Sequence, residues 1–532
     1  MSRPHRTYRS LPRTVVVVVV VVVGLILSAC TQSVDGRATD AGPTSGGQPS
    51  ASSPPSTPRV SVTPATFNDC SQLLSISGVK IAPSLQGKLT AGCARFAVPL
   101  DYASPSGPKL NLLMVRIRDR DATARLGTLI VNPGGPGASA VELALGLLAK
   151  ISPSVLTHFD ILGFDPRGVG LSAPISCRSD REKDVQFAAS PDVTTAAGFA
   201  RAKTLARNFA EACDRKYGST LRYFTTENTA RDMDQVRQAV GDQKLNYLGF
   251  SYGTELGAAY AHLFPRMVRV AVLDGAVDPL PGFVALNEQQ LRGFEDAFDQ
   301  FAGYCRAHLS CAALGNPRAA TTGILGHAEK RPLATRTGRK LTAALAVTGV
   351  SEALYSKTEW PTLAAALVAA QRGDGSGLLA LADNYNRRAP NGRYANLIDA
   401  FTAISCNDTG SRPSDADIRS LAKRWTAKFP LFGKWSVGFL FNCQQWQPRR
   451  DVVPKPTAAT PTKVLVIGNL HDPATPYRGA KDLAATMGNA ELLSWDGEGH
   501  TSYLEGSTCI DNYVNNYLIS QQLPPENTTC PR

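Results

Sequence analysis

The decisive stretch of this 532-residue chain is Leu245-Asn246-Tyr247-Leu248-Gly249-Phe250-Ser251-Tyr252-Gly253-Thr254, which contains a G-x-S-x-G pattern. Leu245–Phe250 is an apolar run typical of a strand, and the small-residue segment Thr254–Leu263 is typical of a helix. A serine between such a strand and helix sits on a sharp, strained turn, so the positions two before and two after it must lack bulk. The pattern predicts that Ser251 is a nucleophile, and the alternative is a chance match in an ordinary turn.

A serine hydroxyl needs a general base, and histidine is the usual one. The chain has seven histidines. In folds with this serine turn, the acid and then the histidine follow the serine along the chain. We predict that His500 is the base, because it lies in a loop, Gly497–Thr501, directly after an apolar run. His471 is the alternative, and His262 is interpreted as a surface or packing residue.

The acid should follow the penultimate strand of the predicted sheet. Lys463–Ile467 is strand-like and leads into Asp472, which Pro473 holds in a turn. We predict that Asp472 orients the imidazole and stabilises the imidazolium. The alternatives are Asp274, Asp278 and Asp496.

Two backbone N–H groups are needed to stabilise an oxyanion. The residue after the nucleophile, Tyr252, supplies one in this prediction. The second is assigned to Gly135 in the loop Asn132-Pro133-Gly134-Gly135-Pro136-Gly137, because glycine lets the backbone approach a substrate closely. Gly134 is an equally placed alternative. The loop has neither G-x-G-x-x-G nor a following Lys-Ser/Thr, and no H-E-x-x-H occurs, so we expect no cofactor and no metal.

Strand-like runs alternate with helical patterns on both sides of the serine. The other runs read as strands in this part are Leu110–Ile117, Thr128–Val131, Phe159–Phe164 and Val268–Leu273, and Thr229–Val240 is read as an amphipathic helix. This alternation predicts an α/β fold, with a mostly parallel sheet and helices on both faces.

The pattern changes after residue 280. Residues 281–455 are mainly helical, and strand-like runs return in residues 456–532. We predict an α/β core made of residues 66–280 and 456–532, interrupted by a helical cap at 281–455. The cap is expected over the carboxyl ends of the strands, where open α/β sheets bind ligands. It would restrict entry to small substrates or free chain ends.

The first 65 residues indicate export. An arginine-rich start and the apolar run Val15–Leu27 match a signal peptide, and the run is too short for a typical membrane span. It ends in Leu27-Ser28-Ala29-Cys30, which looks like a bacterial lipobox. We predict a lipoprotein signal peptide at 1–29, acylation of Cys30, and a disordered tether of Ser, Pro, Thr and Gly at 30–65.

Ten cysteines remain after Cys30, an even number that suggests up to five disulfides in an oxidising compartment. Spacing does not fix their connectivity. Pairing of neighbours is our hypothesis, because each pair would close a short loop: 70–93, 177–213, 305–311, 406–443 and 509–530.

The formal net charge is +12, and four of the arginines lie in the first 29 residues. We find no basic run and no nucleic-acid motif, so a solvated basic surface is favoured over nucleic-acid binding. The expected partners are peptide or small protein substrates and, through the lipid, a membrane. The oligomeric state stays open.

Several motifs together resemble a known family, the tripeptidyl-aminopeptidase branch of the prolyl-aminopeptidase-like α/β-hydrolases. Secreted or lipid-anchored actinobacterial proteases, including a mycobacterial cell-envelope protease, are similar. The resemblance covers about residues 66–530. It is carried by Asn132–Gly137, Gly163–Gly168, Tyr247–Thr254, Leu273–Pro279 and Asp472–Pro476.

The resemblance implies an α/β-hydrolase fold and release of short peptides from a free N-terminus, with endoproteolysis or ester cleavage in some members. It supports Ser251, Asp472 and His500 as the triad and implies that Thr475 tunes the acid. It also implies that cap carboxylates bind a substrate ammonium, but the sequence does not identify them. Glu255 and Asp232 are interpreted as structural ion-pair residues.

We therefore predict an exported serine peptidase on the outer face of a bacterial membrane. One alternative is a carboxylesterase or lipase, because the same triad serves both reactions. Another is a catalytically inactive hydrolase fold that acts as a cell-surface binding protein. The complete set of nucleophile, base, acid and glycine loop argues against that second alternative.

Overall fold

The computed structural model describes residues 62–447, 456–457 and 460–532. Cys30, the signal peptide and most of the tether lie outside this part. Within it, ten strands form one sheet in the order β1-β2-β3-β5-β4-β6-β7-β8-β9-β10. They are β1 (Asn68–Asp69), β2 (Leu89–Pro99), β3 (Lys109–Asp119), β4 (Gly127–Asn132), β5 (Phe159–Phe164), β6 (Leu245–Phe250), β7 (Val268–Asp274), β8 (Val464–His471), β9 (Ala490–Glu498) and β10 (Thr529–Cys530).

The strands from β5 across to β10 are all parallel to one another. The antiparallel pairs are β1–β2, β2–β3 and β3–β5, at one side of the sheet. The prediction of a mostly parallel sheet is confirmed. Every residue of β5 and β6 is buried, as expected for strands that are covered on both faces.

Seventeen α-helices lie in the described residues. They are α1 (Gln72–Ile76), α2 (Ala140–Leu147), α3 (Pro153–His158), α4 (Asp180–Ala188), α5 (Ala196–Tyr217), α6 (Thr226–Ala239), α7 (Tyr252–Leu263), α8 (Phe283–Ala307), α9 (Pro317–Lys330), α10 (Ala343–Leu354), α11 (Trp360–Gln371), α12 (Ser376–Tyr385), α13 (Leu397–Asp408), α14 (Asp415–Lys428), α15 (Gly433–Gln445), α16 (Arg478–Met487) and α17 (Thr508–Ser520). In these ranges, no helix is both long enough and apolar enough to cross a bilayer.

Three hydrophobic clusters organise the molecule. One joins α2, α3 and α17 to one face of the sheet, and a second joins α6, α7 and α16 to the other face. The third belongs to the cap, whose described part contains α8–α15 between β7 and β8. Side chains of α5, such as Phe199 and Phe209, belong to this third cluster, although the sequence placed them in the core segment 66–280. The helical layer over the sheet thus includes α5 as well as the cap.

Five disulfides join neighbouring cysteines, and the hypothesis of neighbour pairing is confirmed. The pairs are Cys70–Cys93, Cys177–Cys213, Cys305–Cys311, Cys406–Cys443 and Cys509–Cys530. Each closes a loop within one region of the fold.

Candidate active site

Ser251 stands at the junction of β6 and α7 with φ 55° and ψ −126°, a left-handed conformation that is strained for a residue with a side chain. Its N–H donates to the Asp274 carbonyl at the end of β7 (2.8 Å). A Cβ on Gly249 would lie 2.5 Å from the Gly253 carbonyl oxygen, and one on Gly253 would lie 2.8 Å from that of Asn132. The two glycines of the motif are therefore needed for the turn to close.

Asp472 lies directly after β8 and is hydrogen-bonded to His500, which follows β9. Both carboxylate oxygens are 2.9 Å from His500 Nδ1, and the Asp472 side chain is fully buried. Oδ1 accepts the N–H groups of Ala474 and Thr475, each at 2.8 Å, and Oδ2 accepts that of Thr501 at 3.1 Å. The Thr475 hydroxyl also donates to Oδ2 (3.1 Å). These donors fix the carboxylate in one orientation.

The electrostatics favour a protonatable imidazole. The His500 side chain is only 10% exposed, and burial alone would lower its pKa. The charge and hydrogen bond of Asp472 outweigh that effect and raise the pKa of His500 above 6.5. An imidazolium formed during a reaction would be stabilised in the same way.

The alternative bases and acids make other contacts. His471, the last residue of β8, has Nε2 3.4 Å from Asp496 and 3.0 Å from Arg532. Asp278 accepts from Leu280 and Gln289. His262 lies in the last turn of α7, at the far end of the helix from Ser251.

Asp274 is buried next to the Asp472–His500 pair. Its Oδ2 accepts the N–H groups of Ser502 and Tyr503 at 2.9 and 2.7 Å, whereas Oδ1 has no partner in the described structure. Burial raises the pKa of Asp274 to about 6. It anchors the chain that follows His500.

Ser251 and the ring of His500 both lie next to the C-terminal end of β7. Asp274 binds the Ser251 N–H through its carbonyl, and a Cβ on the next residue, Gly275, would lie 3.3 Å from His500 Cε1. In the described part of the chain, no hydrogen bond joins the Ser251 hydroxyl to His500. Such bonds are often long until substrate binds.

The glycine loop after β4 packs against the serine turn. A Cβ on Gly134 would lie 2.5 Å from the Phe250 carbonyl oxygen and 2.9 Å from Ser251 Cβ. The Gly134 N–H is donated to Asn132 Oδ1 (2.9 Å), so it cannot serve a substrate without breaking that bond. Gly135 is exposed on the cavity wall. The sequence alone did not distinguish Gly135 from Gly134 as the oxyanion donor.

A cavity of about 650 Å³ opens above Ser251, between the sheet and the helical layer. Its wall combines Gly135, Ser251 and Tyr252 of the core with aromatic cap residues such as Phe401, Trp435 and Phe439. This volume is in the range of sites that enclose a small organic ligand.

Asp232 and Glu255, both interpreted from the sequence as structural ion-pair residues, lie in different surroundings. Asp232 is fully buried and forms a two-bond ion pair with Arg167, at 2.6 and 2.7 Å. Glu255 instead lines the cavity, one turn beyond Ser251 on α7, and so does Asp408 of the cap. Burial and the nearby Asp408 raise the pKa of Glu255 to about 8. The sequence signal for this placement was that Glu255 follows Ser251 by four residues, about one turn, at the start of a helix.

Comparisons with known proteins agree with this geometry. Residues 127–507 match a family model described as alpha/beta hydrolase fold. The chain is 38% identical over 470 residues to the serine protease Hip1 of Mycobacterium tuberculosis, covering 84% of this chain and 88% of that protein. It is 38% identical over 458 residues to carboxylesterase B of the same organism (83% and 86%). It is 32% identical over 455 residues to a tripeptidyl aminopeptidase of Streptomyces lividans (82% and 83%).

Proposed function

This chain belongs to the α/β-hydrolase fold family, and on that premise we propose that it is a serine exopeptidase with Ser251, His500 and Asp472 as its triad. One observation carries the proposal. A buried Asp472–His500 pair and a strained Ser251 converge on the same end of β7, beside a cavity.

In the proposed reaction, Ser251 Oγ attacks the scissile carbonyl while His500 Nε2 takes its proton. The backbone N–H groups of Gly135 and Tyr252 donate hydrogen bonds to the developing oxyanion. His500 then gives the proton to the leaving amine, and Asp472 holds the imidazole and its positive charge. Water attacks the acyl-enzyme by the same sequence and regenerates the Ser251 hydroxyl.

The choice of Gly135 over Gly134 is supported by backbone hydrogen bonding. The Gly134 N–H is already donated to Asn132, and Gly134 is buried against the serine turn. Gly135 faces the cavity. Tyr252 is the first residue of α7, where helix N–H groups have no intrahelical acceptor.

Action on a free N-terminus is supported by two neighbouring carboxyl groups in the cavity. Glu255 and Asp408 both line it, and the pKa of Glu255 is raised in part by Asp408. A substrate ammonium beside Glu255 would favour the ionised carboxylate, which would then pair with it. The helical layer would admit a short segment that begins with such a group.

Ester hydrolysis is a second candidate, because the identity to carboxylesterase B equals that to the serine protease. The triad does not distinguish the two reactions, since both proceed through an acyl-enzyme. The carboxyl groups of Glu255 and Asp408 favour the peptide, because an ammonium can pair with them and an uncharged acyl chain cannot.

We also propose that the protein is exported and anchored by acylation of Cys30, with residues 1–29 removed. The support is the sequence alone: arginines, the apolar run Val15–Leu27 and the lipobox. Cys30→Ser should release the protein from the membrane fraction into the medium or leave it unprocessed. Retention of a cleaved Cys30→Ser protein in the membrane fraction, at the level of wild type, would contradict the lipid anchor.

The test of activity is mass-spectrometric profiling of products from a peptide library, with free and N-acetylated versions of each peptide and a p-nitrophenyl ester. Wild type should release short peptides from free N-termini only, and Ser251→Ala should release none. Equal cleavage of acetylated peptides would overturn the exopeptidase proposal, and turnover of the ester alone would favour the esterase.

A further inference from the structure

The loop that carries His500 is paired with a segment of the cap. We call residues 498–501 the histidine loop and residues 355–357 the cap strap. The His500 N–H donates to the Tyr355 carbonyl (2.7 Å), and Gly499 forms an antiparallel bridge with Ser356. Lys357 Nζ lies 2.9 Å from Glu498 Oε2. Three successive strap residues therefore meet three successive loop residues.

The ring of Tyr355 also contacts the imidazole. It stands edge-on to His500, with ring centroids 5.2 Å apart and planes at 89°. This is a favoured geometry for aromatic pairs. With Asp472 at Nδ1 and Gly275 near Cε1, the Tyr355 ring closes a slot around the imidazole.

The histidine loop needs support from outside itself. The residues on either side of His500, Gly499 and Thr501, have φ 104° and 70°. A left-handed conformation is costly for Thr501, which has a branched side chain. Core residues form hydrogen bonds with both neighbours of His500, since Asn469 donates to the Gly499 carbonyl and Asp472 accepts the Thr501 N–H. The N–H of His500 itself, however, is held by the cap.

Tyr355 is in turn fixed by residues that line the cavity. Its ring lies 5.7 Å from that of Phe294 and 6.1 Å from that of Tyr385. Both of these residues face the cavity above Ser251. A continuous aromatic contact thus leads from the substrate space to the imidazole.

We propose that Tyr355 is a positioning residue for the general base. Through its carbonyl and its ring it aligns His500, so that the triad is complete only when the cap is seated on the core. This inference rests on the proposed function, because it assumes that His500 acts on Ser251.

The test is the rate of Ser251 labelling by a small alkyl fluorophosphonate, which reports base-assisted attack without requiring cap contacts to a peptide. The full chain is compared with Tyr355→Ala, Tyr355→Phe and, as a matched cap aromatic away from the loop, Tyr304→Ala. Tyr304 packs on His308 and Trp360. Both the second-order rate constant and the final extent of labelling are measured at several pH values.

Tyr355→Ala should lower the rate constant at least tenfold while the labelled fraction still reaches completion. Tyr355→Phe, which keeps the ring, and Tyr304→Ala should stay within about twofold of wild type. A residue that only stabilises the fold would instead lower the extent of labelling and leave the rate constant of the folded fraction unchanged. That second pattern would overturn the proposal.

Lys357→Ala keeps the inference testable if Tyr355→Ala does not fold. Lys357 is exposed, so its removal should be tolerated, and loss of its pair with Glu498 should reduce the rate constant about two- to fivefold. A folded Lys357→Ala with a wild-type rate constant would contradict the proposal that the cap strap positions His500. If wild type itself is not labelled, the proposed triad has failed rather than the role of Tyr355 alone.

Discussion

Replacement of Asp472 by asparagine should nearly abolish turnover through the histidine tautomer. Oδ1 of Asp472 faces two backbone N–H groups, from Ala474 and Thr475, while Oδ2 faces one, from Thr501. Because an amide has only one acceptor oxygen, that oxygen should occupy the Oδ1 position, where it can accept both N–H groups. The amide NH₂ then occupies the Oδ2 side, 2.9 Å from His500 Nδ1.

An NH₂ group at that position forces Nδ1 to accept and places the imidazole proton on Nε2. A histidine in that tautomer cannot take the Ser251 proton. The expected loss in kcat is about 10⁴-fold, the scale known for the equivalent change in another triad. At about 1.36 kcal/mol per tenfold, it corresponds to about 5.5 kcal/mol. The NH₂ also opposes the Thr501 N–H, and one buried donor without an acceptor costs about 1–3 kcal/mol of stability.

The assay is hydrolysis of a tripeptidyl-aminoanilide, with thermal unfolding measured on the same preparations. Asp496→Asn is the matched control, because Asp496 contacts His471 and Arg532 and makes no described contact with His500. The control should keep its activity within about twofold. Asp472→Asn with kcat within tenfold of wild type would refute the reasoning, as would a large loss in Asp496→Asn alone.

Three further predictions concern the glycine loop after β4, the cavity and the pH dependence of activity. Gly134→Ala places a Cβ 2.5 Å from the Phe250 carbonyl oxygen at φ 92°, so displacement of the loop should lower kcat for a small ester about 10²- to 10³-fold; full activity would exclude the loop from the oxyanion site. Glu255 has a folded-state pKa raised to about 8 against an ordinary 4.5, so wild-type stability should fall as pH rises between those values; Glu255→Gln should flatten this trend in Tm, and an unchanged slope would contradict it. Because the pKa of His500 is raised above 6.5 and the base must be neutral, kcat/KM should rise with pH through a midpoint above 6.5; a midpoint near 5 would contradict the assignment.

The centre of the fold was predictable because its signals are local. Predicted bounds match β5 and β6 residue for residue, since short, mainly apolar runs are typical of buried parallel strands. The serine turn predicted Ser251 from its neighbours two positions away. Asp472 and His500, 28 residues apart, each follow a strand of the same parallel pair, which places both at one edge of the sheet.

Other features depend on tertiary contacts that a single sequence does not contain. Strand β2 was not predicted, because its burial alternates irregularly and Gly92, Cys93 and Arg95 interrupt the apolar pattern. Helix α5 was also not singled out, although its apolar residues repeat at helical spacing, and its packing with the cap could not be inferred. The choice of Gly135 over Gly134 depends on one bond to Asn132. Tyr355 meets His500 only because the cap folds back onto the core.

The central claim is that Ser251 is the nucleophile, and intact-mass analysis after fluorophosphonate labelling tests it most directly. The probe forms a stable bond with an activated serine and reports the site independently of the natural substrate. Wild type should gain the mass of one probe, on the peptide that contains Ser251, and Ser251→Ala should gain none. Labelling of Ser251→Ala to the same extent as wild type would contradict the account.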